Sequence, residues 1–214
     1  MLILVAGLII FLGTHSVRII ADDWRTRQIA RIGALQWKGL YAVMSIIGFT
    51  LLVWGFGQTR ATPIIVWAPP PWTHHLTALL MLFVFILLAA AYVPGNRIKA
   101  RIGHPMLLAV KIWAVAHLAA NGTLSDIILF SAFLIWSAID FSVSRRRDRT
   151  SSVRYPATGI GRDVIAVSLG LIAFAWFAHF GHAWLIGVEP FQFKGNPVTA
   201  SISSYGATLF TLGK

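Results

Sequence analysis

Cysteine is absent from all 214 residues, which excludes disulfides, thiolate metal sites and cysteine nucleophiles. Acidic residues are scarce: seven Asp and Glu stand against eighteen Lys and Arg. The seven are Asp22, Asp23, Asp126, Asp140, Asp148, Asp163 and Glu189. All sit at or beyond the expected helix ends, and no catalytic carboxylate pair is formed. No Gly-rich phosphate loop follows a strand, since no convincing strand is present. A hydrolase or nucleotide enzyme of the soluble type is therefore disfavoured. Charge of either sign amounts to 12% of the chain, against roughly a quarter in soluble domains.

What the chain does have is apolar sequence, 57% of it, gathered into runs of about the ~20 residues that a spanning helix needs. The expected spans are 2–20, 38–57, 75–93, 104–122, 124–142 and 164–187. The fold class is all-α, a polytopic transmembrane bundle of about six helices. The connections are too short to fold separately, so one domain is expected. No positive charge precedes the apolar run from Met1 to Leu12, and no soluble domain follows it. The first segment is accordingly a retained helix rather than a cleaved signal peptide.

Cations fall on alternate connections. The first carries Arg18, Arg25, Arg27, Arg31 and Lys38, the third Arg97, Lys99 and Arg101, and the fifth Arg145, Arg146, Arg147, Arg149, Arg154 and Arg162. The second has only Arg60, the fourth none, and the tail Lys194 and Lys214. The positive-inside rule places connections one, three and five in the cytoplasm and both termini outside. A net charge of +11 also raises nucleic-acid binding. The Arg145–Arg149 cluster directly follows a span, however, where cations face anionic lipid headgroups, and no aromatics for base stacking are interleaved with it. Membrane lipid is the expected partner, and nucleic acid is not.

Histidines inside the spans are the main candidates for chemistry, because polar groups in a bilayer are costly and usually functional. His15 lies in the cytoplasmic half of the first span. His117 lies just beyond the middle of the fourth, with Trp113 and Asn121 one turn either side. Each is either hydrogen-bonded to a neighbouring helix or a ligand of a metal or haem iron. His15 sits inward of the midplane and His117 outward, so one shared iron requires a tilted helix or a tilted haem. His74 and His75 open the third span and His104 the fourth, with Pro105 at a favourable first-turn position; interfacial roles account for these three. His179 and His182 are one turn apart but lack the Glu of an H-E-x-x-H site. Lys111, mid-span, costs on the order of 2.5–3.5 kcal/mol on insertion scales. It either snorkels toward the cytoplasm or pairs with an anion such as a cofactor carboxylate. His104, seven residues earlier, shares its face.

Several blocks in order carry a family resemblance: G-T-H-S-V-R at 13–18, W-K-G-L-Y-A-V-M-S-I-I-G at 37–48, A-P-P-P-W-T-H-H-L at 68–76, and the H-P…A-H-L…N-G block within 92–122. Over residues 1 to about 145 the chain resembles the NnrU family of membrane proteins. Residues 146–214 match less recognisably; they supply the basic connection, the sixth span and a short outer tail of the same bundle. The resemblance implies a bacterial inner-membrane protein associated with denitrification and nitric oxide metabolism, with possible partners among respiratory membrane enzymes. The same helices are similar to the zeta-carotene isomerases of plants, haem b enzymes of plastid membranes. That likeness implies haem b as cofactor and cis–trans isomerisation of a polyene as an activity. It carries a histidine pattern onto His15, His75, His104 and His117, of which His15 and His117, the two deeply placed ones, are the expected axial pair.

Two rivals stand beside this reading. One is a non-enzymatic accessory or transporter-like component of a respiratory pathway. The other is an S-adenosylmethionine-dependent membrane methyltransferase, since an H-P followed by an apolar helix ending in N-G resembles the isoprenylcysteine carboxyl type. Those enzymes need a further acidic motif near the C-terminus. Only Glu189 follows Asp163 here, on the outer side. Residues 189–214, rich in Gly, Ser and Thr, are expected to form an exposed outer segment.

Overall fold

The computed structural model describes residues 1–187; the expectations for Glu189 and the 189–214 tail lie outside the described residues. Within them the regular elements are helices, with a single isolated bridge between Ile65 and Thr123. A bilayer offers no water to backbone N–H and C=O groups, so an apolar run must satisfy them internally as helix. Hydroxyls inside the spans follow the same rule: Thr14 and Ser16 donate to the carbonyls of Ile10 and Leu12, both at 2.7 Å.

Helix α1 (Leu2–Ile20) coincides with the first expected span, and α3 (Ala34–Thr59) and α4 (Trp72–Tyr92) contain or nearly coincide with the next two. The fourth becomes α6 (Pro105–Ala120), with His104 as its N-cap and Pro105 in its first turn. At 16 residues it is about 24 Å long, shorter than a ~30 Å hydrocarbon core. The other five apolar helices are each long enough to cross a membrane. The sixth expected span is α8 (Ile160–Trp176), a π turn (Phe177–Gly181) and α9 (His182–Ile186) in continuity.

Helix α7 (Leu124–Thr150) outlasts its apolar run by two turns. Its start is fixed by a capping box between Thr123 and Asp126. Its end runs on through Arg145–Arg149, good helix formers that need no apolar surroundings. Asp140 and Asp148 consequently lie within a helix rather than at or beyond its end, a correction to the sequence reading. Two further helices have no counterpart among the expected spans. Helix α2 (Asp22–Ile32) has Asp22 and Asp23 in its first turn and Arg31 in its last, complementing the helix dipole, and none of its residues is buried. Gly33, at φ 90°, makes the turn from α2 into α3 in a conformation other residues resist. Helix α5 (Arg97–Ile102) is capped by Asn96, whose Oδ1 accepts from the Lys99 amide at 2.7 Å. Asn96 is fully buried and donates to Ala90 and Val93 carbonyls at 2.8 and 2.5 Å, which ties α5 to the end of α4.

The apolar helices form a ring. Helix α3 packs on α1, α1 on α7, α7 on α6, α6 on α4, and α4 on α8, while α9 returns to α3. The tightest seam is α1 against α3, where glycines let backbones meet. A Cβ at Gly48 would stand 2.7 Å from the Phe11 nitrogen, and one at Gly7 2.6 Å from the Leu52 nitrogen. Leu4, Leu8 and Leu52 are buried beside them. The outer surface is apolar, with Ile9, Ile172 and Trp184 at 68%, 66% and 85% exposure. Such a surface is expected where lipid is the solvent. Arg18, Arg25, Lys38, Lys99 and Arg147, from the cation-rich connections and their borders, gather around one space at the cationic end of the ring.

Candidate functional site

Among the described residues, one cavity opens toward each end of the bundle. The one toward the far end has a volume of about 600 Å³, within the range of small-molecule and cofactor sites. Its walls are aromatic and aliphatic, including Phe49, Phe56, Phe130 and Phe133, and its polar groups include His117, His182, Asn121 and Asp126. Arg60 and Pro63 border it from the connection between α3 and α4. That connection is stitched to the α6–α7 turn: the Val66 amide donates to the Gly122 carbonyl at 2.8 Å, and the Leu124 amide to Ile64 at 2.8 Å. Gly122 has no room for a side chain beneath Trp67. Arg60 also donates to the Ile186 carbonyl, joining this connection to the end of α9.

His117 is held in a defined state. Its Nδ1 lies 2.9 Å from the Trp113 carbonyl, and a carbonyl only accepts, so Nδ1 carries the hydrogen. The neutral ring is thereby left with its lone pair on Nε2, the arrangement in which a histidine ligates a metal. Trp113 and Phe130 flank the ring at centroid distances of 5.4 and 4.8 Å. His15 repeats the motif on α1: Nδ1 donates to the Phe11 carbonyl at 2.7 Å, and Phe11 stacks on the imidazole at 4.3 Å.

The two histidines line different cavities. His15 belongs to the cavity at the cationic end, about 640 Å³. A chain of rings runs from one to the other: Phe11 meets Phe133 at 5.8 Å, and Phe133 meets Trp113 at 5.3 Å. The histidine that shares a cavity with His117 is His182, which follows the π turn and packs edge-on against Phe177 at 5.8 Å. Sequence reasoning set His182 aside for want of a Glu. The available signal was position: an apolar helix places His182 at the same depth as the end of α6.

The remaining candidates separate. His104 lines the cationic cavity, with Nε2 2.8 Å from Asp148 Oδ2. Tyr155 donates to that same oxygen at 3.0 Å. Burial and this carboxylate push the Tyr155 phenol above its ordinary pKa. His75 is exposed at the start of α4 and lines neither cavity. Lys111 places Nζ 3.8 Å from the centroid of Phe141, a cation–π contact. His104 approaches the same ring at 6.3 Å, as its seven-residue spacing from Lys111 implies. No ion pair joins Lys111 to an acid among the described residues.

Among the described residues, no three His, Cys, Asp or Glu side chains converge as a bare metal ion would need. A haem is less demanding of the protein. The porphyrin brings four equatorial nitrogens, and one or two imidazoles complete the iron. The cavity around His117 meets that requirement in volume, in apolar lining and in imidazole tautomer.

The sequence model of a family described as NnrU protein matches residues 3–190. No curated protein and no solved structure matches the chain.

Proposed function

The chain belongs to the NnrU family, and on that premise we propose that it is a membrane haem protein whose prosthetic group occupies the aromatic cavity around His117. The single observation that carries this reading is the His117 ring itself: Nδ1–H is committed to the Trp113 carbonyl, leaving Nε2 as the ligating atom inside an apolar cavity. His117 and His182, which line the same cavity, are the residues that would hold the group. This departs from the pairing of His15 with His117, because those two line separate cavities joined by the Phe11–Phe133–Trp113 chain. Haem b is the form that the likeness to the plant isomerases implies, and without cysteine the chain has no thiol for covalent attachment.

Bound there, haem supplies one-electron and diatomic-ligand chemistry. The chain's own residues do the rest. The Trp113 carbonyl orients the His117 imidazole, and the phenylalanines of the lining exclude water from the cavity. The connection between α3 and α4 borders the cavity. An apolar cavity open to haem is also suited to an apolar substrate such as a polyene, and the reading includes a redox or isomerase activity on that class. It places the protein in a bacterial inner membrane, in nitrogen-oxide or related redox metabolism. The test is haem content after haem-replete expression, with single substitutions at His117 and His182. Protein without haem would favour an accessory component of a respiratory pathway.

A further inference from the structure

The second cavity has a different chemistry. It is lined by Arg18, Arg25, Lys38, Lys99 and Arg147, and by one carboxylate, Asp140. These cations come from five helices, α1, α2, α3, α5 and α7. A basic belt that merely fixes topology needs cations near the membrane surface, not convergence on one space. Some are partly engaged: Arg25 lies 3.5 Å from Asp22, Lys99 donates to the Ala91 carbonyl at 2.8 Å, and Arg147 to the Ser144 hydroxyl at 3.0 Å. Arg18 and Lys38 have no acidic partner among the described residues. Trp136 also lines this cavity, and its Nε1–H is buried with no acceptor among the described residues. An unpaired buried donor is rare and points to a missing acceptor. Trp37, Tyr41 and Met106 supply apolar wall beside the charges.

We propose that this cavity binds a phosphate group borne on an apolar tail. The phosphate meets the Arg18, Lys38 and Arg147 side chains, whose charge and donor geometry suit phosphate oxygens. The Trp136 Nε1–H supplies a donor to the ligand, and the tail lies along Trp37, Tyr41 and Met106. The site is independent of the haem reading, being at the other end of the ring and built from other residues. A membrane phospholipid with a terminal phosphate and a free phosphate compound share the chemistry and differ in how much of the site they use.

The test uses the full chain in maltoside detergent, with calorimetric titration of dihexanoyl phosphatidic acid, dihexanoylglycerol and inorganic phosphate. Phosphatidic acid is expected to bind at one saturable site at least tenfold more tightly than the phosphate-free dihexanoylglycerol. The double substitution Arg18→Gln with Lys38→Gln, at two exposed positions, is expected to weaken it at least tenfold. Arg31→Gln, an exposed cation outside the cavity, should leave it unchanged. Trp136→Phe should weaken it severalfold, and provides a second variant should the double one fail to fold. Inorganic phosphate, which has no tail, should compete only weakly; competition with comparable affinity would overturn the tail and leave a site for a free phosphate compound. Equal binding of phosphatidic acid and dihexanoylglycerol, or a loss in Arg31→Gln matching the double variant, would overturn the proposal.

Discussion

The ammonium of Lys111 stands 3.8 Å from the centroid of the Phe141 ring, across the packed faces of α6 and α7. A mid-span lysine thus gains an electrostatic partner without a carboxylate. Such contacts are worth about 2 kcal/mol or more when desolvated. Phe141→Leu is expected to destabilise the protein more than Lys111→Met does, because only the former strands the charge. A double-mutant cycle read by thermal unfolding should return a coupling of about 1–2 kcal/mol. Additive effects of the two substitutions would show that the lysine is satisfied elsewhere.

The α1–α3 seam yields a pair of matched substitutions. Gly48→Ala puts a methyl against the Phe11 backbone at less than van der Waals distance, and such overpacking costs about 1–3 kcal/mol. Gly57→Ala, on the same helix, meets nothing within 4 Å and should gain up to about 1 kcal/mol from helix propensity. Melting curves that shift alike for both would contradict the packing described.

Tyr155 lies in the connection after α7, and its phenol is raised by burial and by Asp148. A phenol with a higher pKa in the folded state holds its proton more tightly there than when unfolded. Its stabilising contribution is complete below the unfolded value near 10 and is lost as pH rises through the folded value. Wild type should therefore lose stability above pH 10 more steeply than Tyr155→Phe. Ultraviolet titration should show that the tyrosine missing from the variant ionises later than a free phenol. Parallel alkaline unfolding of the two proteins would remove Tyr155 from the account.

Topology is accessible because the chain supplies no competing thiol. Cysteines at Arg149 and Ala61, both exposed, should react with an impermeant reagent from opposite sides of intact vesicles. Gly122 is unsuited to this purpose, since any side chain there collides with Trp67. Reaction of both thiols from one side would refute the arrangement of spans.

Much of the bundle was legible because hydropathy measures the property the bilayer selects. Runs of Leu, Ile, Phe and Ala located six apolar helices, and the cation alternation ordered their ends. Helices α2 and α5 escaped because neither is apolar: α2 is held by its dipole-matched termini, α5 by buried Asn96. The extension of α7 escaped because a helix continues past an apolar run whenever its residues favour helix. For the site, the sequence singled out His15, His75, His104, Lys111 and His117 as polar residues in or at the edge of apolar segments, and of these His75 lines neither cavity. It had no means of telling which share a cavity, since that depends on the ring order of the helices. Sequence spacing grouped His182 with His179, whereas the packing of α9 toward α3 puts it on the cavity that His117 also lines. Phe141 as the partner of Lys111 was hidden for the same reason, its contact being between helices.

The central claim is that the His117 cavity holds haem, and optical absorbance of the purified protein tests it most directly. Protein from haem-replete expression should show a Soret band in near-stoichiometric amount. His117→Ala should abolish the band, and His182→Ala should shift or weaken it. His75→Ala should leave it intact, and His15→Ala should leave its position unchanged. Absence of Soret absorbance in well-folded protein, or a band indifferent to both His117 and His182, would contradict the account.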